Sequence, residues 1–180
     1  MNSIENRLKD MITKPTNTKE SSAFYVKYLG MPENVGNFLG RQTIGFTPPA
    51  IEYDVATHHV RHNAIQDTGR LSKSPINLTL RCDDVGYVEA IMLNQILVQT
   101  RKTVSSSTGN RGEGFDLRIE YFTETKKLSR YVVYSNCRIQ TLTFPPSRLN
   151  LDDVPMELEV TAIYDTMSYY SDIGDLLVEV

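Results

Sequence analysis

The sequence predicts a mainly β protein of the α+β class: an antiparallel β-sandwich or barrel with one main flanking helix and a short N-terminal helix. Three observations predict it. In the last third, Phe115, Leu117, Ile119 and Tyr121 alternate with Asp116, Arg118 and Glu120, and Met156, Leu158, Val160 and Ala162 alternate with Glu157, Glu159 and Thr161. That period of two marks half-buried antiparallel strands. Between the strands, DDVGYVEAIMLNQILVQTRK (83–102) shifts to a helical period and is the one long helix signal. Finally, 180 residues at 40% hydrophobic content suffice for one core, so residues 1–180 read as a single domain.

The elements follow in chain order. Ile4, Leu8, Met11 and Ile12 fall at i, i+4, i+7 and i+8, with Asn2 or Ser3 as cap and Pro15 as stop, which predicts an amphipathic helical arm over 1–15. The linker after it, TNTKESS, is polar and lacks glycine, so the arm is expected to dock away from its own first strand, with a neighbouring subunit as one candidate. AFYVKYLG, NFLGRQTIGF and IEYDVATHHV read as strands, the last two forming a projecting hairpin over 37–62 with Thr47, Pro48 and Pro49 at its turn. Proline at such a tip removes amide donors and blunts strand pairing. DTGRLSKSP reads as a turn before INLTLRC, a strand with Ile76, Leu78 and Leu80 on one face.

The main helix opens on Asp83 and Asp84, favourable at the positive end of its dipole, and closes on Arg101 and Lys102. Val85, Val88, Met92 and Ile96 form its stripe, and Ile91, Leu93, Leu97 and Val98 widen it so far that a sheet on one side and another element or subunit on the other must cover it. Thr103–Gly114 reads as a loop, too poorly placed between helix and strand to be a phosphate cradle. ETKK turns the chain into Leu128–Phe144, where Ser135 and Asn136 suggest a bulge at which a long strand leaves one sheet for another. Residues 171–180 read as a short acidic tail.

No catalytic, cofactor or metal site is predicted. All three histidines, His58, His59 and His62, lie within THHVRHN. On a helix, His58 and His62 would share a face, but the alternation of Ile51, Tyr53 and Val55 predicts a strand, which separates them by ~13 Å. Zinc at ~2 Å from each nitrogen requires ligand atoms within ~4 Å of one another. The histidines therefore read as surface or interface residues, with a pH-sensitive contact between subunits as the alternative. Cys82 and Cys137 are isolated, without a CxxC, and read as buried thiols. Asp83 with Asp84 and Asp152 with Asp153 are sequence neighbours that suit caps and turns rather than a shared proton, and no GxSxG elbow is present. A net charge of −3 argues against a general nucleic-acid binder, the N-terminus does not read as a secretory signal, and no run is apolar enough for a membrane helix.

Taken in order, the arm ending at Pro15, the strand AFYVKYLG, the hairpin of 37–62, NLTLRCDDVGYVEAIMLNQI, FDLRIEYFTETKKLSRYVVYSN and the closing RIQTLTFPPSRLNLDDVPMELEVTAIYDTMSYY resemble the tail tube proteins of contractile-tailed phages and the related baseplate tube initiators. The resemblance is one of architecture along nearly the whole chain. Several members carry Trp in the strand before the helix and in the late strands; this chain has none, with Leu78, Leu80 and Phe144 nearby, so tube subunit and initiator or adaptor ring both stay open. The resemblance implies a non-enzymatic, cofactor-free subunit of a hexameric ring whose strands join into an oligomeric barrel, in rings that stack into the conduit for DNA ejection. It implies as partners other copies of the chain, the tail sheath, baseplate and tail-terminator proteins, and phage DNA passing without specific binding. It implies no membrane, and a place in the virion tail after assembly in the host cytoplasm. Under that reading, Phe46, Thr47, Pro48, Pro49, Ile51 and Tyr53 are the expected ring-stacking residues, and Ile4, Leu8, Met11 and Ile12 the expected helix contact between subunits. A type VI secretion tube protein, a small ligand-binding barrel and a metal-dependent enzyme are the competing readings.

Overall fold

The structure, a computed structural model, describes residues 23–60, 63–105, 114–145 and 156–180, with the backbone alone at 53–60, 63–71 and 101–105. The N-terminal arm with Ile4, Leu8, Met11 and Ile12, and His62, lie outside the described residues. Among the described residues, ten strands and two helices follow one another as β1 (Phe24–Leu29), α1 (Glu33–Gln42), β2 (Thr43–Thr47), β3 (Ile51–Val60), β4 (Asn63–Lys73), β5 (Ile76–Arg81), α2 (Tyr87–Ser105), β6 (Phe115–Phe122), β7 (Leu128–Thr143), β8 (Glu157–Ile163), β9 (Thr166–Ser171) and β10 (Leu176–Glu179). The mainly β, antiparallel class predicted from the alternation is the observed one, and α1 is a helix the sequence reading did not predict.

All pairings are antiparallel, and they build two layers that share β7. The first runs β10–β9–β7–β6–β1 and the second β7–β8–β5–β2. Arg130–Ser135 of β7 pair with β9, whereas Arg138–Thr143 pair with β8. The switch comes at Asn136, which has a φ of 53°, a left-handed conformation that asparagine tolerates better than most residues. The predicted bend at Ser135 and Asn136 is therefore the corner of the fold.

Side chains pin that corner. The Asn136 backbone N–H donates to Asp116 Oδ1 at 2.8 Å, its Nδ2 donates to Asp165 Oδ2 at 2.5 Å, and its Oδ1 accepts the Gly114 N–H at 3.0 Å. Arg138 Nη2 donates to Asp165 Oδ1 at 2.8 Å, and Lys73 Nζ to the Asp165 carbonyl at 3.0 Å. Asp165→Ala strips the Asn136 amide and the Arg138 guanidinium of this acceptor. Its expected cost is ~1–2 kcal/mol, below the cost of breaking a fully buried pair because water reaches the group, read as a lower denaturant midpoint.

The core lies between the layers. Ile76, Leu78 and Leu80 of β5 and Leu158, Val160 and Ala162 of β8 face Val26 and Tyr28 of β1, Phe115, Leu117 and Ile119 of β6, and Val132 and Tyr134 of β7, all buried. Val88 and Met92 of α2 and Leu39 of α1 join it. Asp83 starts α2 by accepting the Val88 N–H at 2.9 Å, and that bond holds its carboxyl below the usual range. Val85, predicted in the helix stripe, precedes the helix and is 71% exposed.

Four sequence expectations are corrected. Residues 37–42 are the end of α1 and not strand: the periodic pattern here is Gly36, Leu39 and Gly40 at helical spacing, and glycine costs a helix about 1 kcal/mol, so the signal was hidden. The projecting hairpin is β3–β4 rather than 37–62, because β2 pairs with β5 and Pro48–Pro49 lie in the connection between β2 and β3. DTGRLSKSP is mostly strand, since Asp67–Lys73 belong to β4 and pair with β3. The tail contains β10, anchored by reciprocal bonds between Met167 and Val180, each N–H donating to the other's carbonyl at 2.8 Å.

Candidate assembly interface

A sheet margin is a row of unpaired amides unless something covers it. At β1 the margin is sealed. The Phe122 N–H donates to the Ala23 carbonyl, so by strand alternation the Val26 and Tyr28 carbonyls point away from β6. There α1 lies against them: a Cβ on Gly36 would sit 2.6 Å from the Tyr28 oxygen, and one on Gly40 would overlap the Val26 oxygen. Glycine at both positions is thus a condition of the seal.

Three other margins differ. β2 pairs only with β5, the Arg138–Thr143 stretch of β7 only with β8, and β10 only with β9; no other described strand reaches them. The first two bound opposite sides of the second layer. Its outward face carries Asn77, Thr79 and Arg81 from β5 and Glu157, Glu159 and Thr161 from β8, with Thr161 Oγ1 donating to Asn77 Oδ1 at 2.9 Å. This surface is polar, carries both signs of charge and has the core directly behind it.

The residues predicted for ring stacking are not brought together at one tip. Phe46 packs between the layers, its ring 5.9 Å from Tyr134 and 6.4 Å from Phe24. Thr47 ends β2, Pro48 and Pro49 follow it, and Ile51 and Tyr53 open β3. What extends from the body is β3–β4, in register from Ile51↔Lys73 to Val60↔Asn63, with its root held by Ala50 and Ser74: the Ser74 N–H donates to the Ala50 carbonyl at 3.0 Å, and the Ala50 N–H to Ser74 Oγ at 2.6 Å. Ten residues of strand reach ~33 Å. His58 and His59 pair with Ile65 and Ala64 near the far end of this ribbon, in a strand as predicted.

One surface escaped the sequence reading. The outward face of the first layer carries Glu120, only 7% exposed in its side chain, which accepts from Lys27 Nζ and Arg118 Nη2, both at 2.9 Å. The Arg118 guanidinium lies 3.8 Å over the Tyr131 ring, itself stacked on Tyr170 at 4.7 Å. Alternation signalled that these residues share a side, but only the pairing of β6, β7 and β9 makes them neighbours. The outer face of α2, for which the sequence predicted a further cover, leaves Leu93 44% and Leu97 52% exposed.

The two cysteines offer little nucleophilicity. Burial, aided by a hydrogen bond with Glu89, pushes the Cys82 thiol up to about 12, and burial does the same to Cys137, so both stay protonated at neutral pH. Among the described residues no group of three or more His, Cys, Asp or Glu is placed to hold a metal ion, and no helix is long and apolar enough to cross a membrane.

No protein-family model and no curated protein matches the sequence. Solved structures do. A chain of the anti-feeding prophage baseplate, determined by cryo-electron microscopy with sixfold symmetrisation, shares 9% identity over 88% of this chain and 99% of its own, at a TM-score of 0.60. A chain of the PVC extracellular contractile injection system sheath/tube terminator shares 15% identity over 87% and 99% at 0.59. One of the PVC sheath–tube complex shares 17% over 91% and 97% at 0.55. At these identities the likeness is one of fold: two layers of antiparallel strands with flanking helices, arranged as in these injection-system chains.

Proposed function

We propose that the chain is a non-enzymatic structural subunit of a contractile-tail tube, in which six copies close into a ring and rings stack into a conduit. The observation that carries this reading is the second layer, a sheet with a dry inner face, a polar outer face and two opposite margins left open. Joining β2 of one copy to the Arg138–Thr143 stretch of the next satisfies both margins at once, and repetition closes a barrel without edges. Its lumen would then be the face of Asn77, Thr79, Arg81, Glu157, Glu159 and Thr161. With one Arg against two Glu, that face is slightly acidic and gives a polyanion little to hold, and a ring of six, at −3 per chain, carries a net charge of about −18. DNA passing through such a conduit is guided by the wall without being bound.

In this assembly β3–β4 reaches the next ring, and sheath, baseplate and terminator proteins are the partners outside and at the ends. Negative-stain microscopy of the purified chain over rising concentration tests the reading: rings that lengthen into tubes are expected, and a lone compact particle at every concentration overturns it. A single-ring role as tube initiator or adaptor is the second reading, favoured by the likeness to baseplate and terminator chains. It predicts rings that never lengthen.

A further inference from the structure

The outer face of α2 presents an apolar seam that no described element covers. Ala90, Leu93, Leu97 and Thr100 are all exposed and recur at intervals of three, four and three, on the side opposite the buried Val88 and Met92. That alternation of three and four is the narrow stripe by which one helix receives another along its length, distinct from the broad face a helix turns to a sheet. The N-terminal segment shows a comparable pattern. Ile4, Leu8 and Met11 are spaced by four and three, between a cap at Asn2 or Ser3 and Pro15. A helix of this length is marginal in water without a partner. We propose that residues 2–14 of one copy form a helix that seats Ile4, Leu8 and Met11 on the Ala90–Thr100 seam of α2 in a neighbouring copy.

Reach favours the neighbour over the same chain. Both connections of α2 attach to the body near the Leu29 end of β1: Leu80, at its entrance, pairs with Thr43, whose hydroxyl is 2.9 Å from the Tyr28 hydroxyl, and Phe115, beyond its exit, backs onto Gly30. Residues 16–22 instead join β1 at Ala23, the opposite end of a six-residue strand ~17 Å long. Seven residues span at most ~25 Å. Docking on the chain's own α2 asks those seven residues to carry the arm from Ala23 to the outer face of a helix whose two connections both start from the other end of β1. A second copy alongside in the ring imposes no such demand.

The inference rests on the ring reading, and cross-linking separates the two. Leu8→Cys with Leu93→Cys, in the full chain with Cys82→Ser and the buried Cys137 retained, is expected to give on mild oxidation a ladder of disulfide-linked multimers; neither single variant alone should reach beyond a dimer. Rings without an 8–93 disulfide overturn the docking and leave the ring standing. A lone particle whose disulfide is wholly intramolecular overturns both. As a second measure, Leu93→Asp and Leu8→Asp should each lower ring yield at fixed concentration at least about tenfold, with the pair no worse than either alone, since both remove one contact. An unchanged melting temperature in Leu93→Asp separates this loss from misfolding, and independent, multiplying losses in the pair count against a shared contact.

Discussion

Removing Ala56–Asp67 and joining Val55 to Thr68 through an Asn-Gly turn is expected to leave a folded, ring-forming chain that no longer builds tubes. The Val55↔Thr68 pair is in register, so a two-residue turn closes the shortened ribbon without disturbing its root. The root contacts, Ser74 with Ala50 and Lys73 with the Asp165 carbonyl, all lie outside the deletion. Because β3 and β4 pair only with each other, the melting temperature should stay within about 2 °C of the parent chain. Stacking is another matter: as proposed, this ribbon is what one ring extends to the next, and micrographs should show rings with few or no tubes. Tubes of ordinary length from the shortened chain would remove the ribbon from any role in stacking.

Gly40→Ala is expected to cost ~1–3 kcal/mol, with the melting temperature falling roughly 2–4 °C for each kcal/mol in a chain of this size. The added methyl meets the Val26 carbonyl, whose strand is held by β6 across its whole length and cannot yield as a flexible side-chain tip would. Relief therefore comes from lifting α1 off β1. That motion exposes the Val26 and Tyr28 carbonyls and turns a sealed margin into an adhesive one, so aggregation during refolding should accompany the lower midpoint. Gly36→Ala meets the Tyr28 carbonyl in the same way and should behave alike. If Gly40→Ala melts with the parent chain, α1 slides freely on the strand and does not guard it.

Elements whose pattern comes from facing a core were readable in the sequence. β5, β6, β7 and β8 alternate because one side is dry, α2 announces itself through Val88, Met92 and an acidic start, and the corner at Asn136 was visible as polar residues interrupting a long strand. What stayed hidden has a different origin. α1 packs through Gly36 and Gly40, which carry no hydrophobic signal and count against a helix, so their role emerges only once β1 lies beside them. β4 resembles a turn because its residues are mostly polar and include glycine, and its strand state comes from pairing with β3. For the candidate interface, sequence placed a strand, and not a helix, through His58 and His59, but could not say that β2 joins the body while β3 leaves it. Pairing is a property of two segments at once, and no single run of residues contains it.

The corner has a mechanical consequence. β7 crosses from one layer to the other at Asn136, and the chain running through β8 and β9 makes the same crossing beside it at Tyr164 and Asp165. Two adjacent peptide backbones thus stitch the layers together, laced by Asp165 to Asn136 and Arg138. Shear between the layers must strain covalent bonds and this lacing, where a sandwich joined only by packed side chains would slip. A torque or thrust applied to one layer is therefore delivered to the other as if through a welded joint.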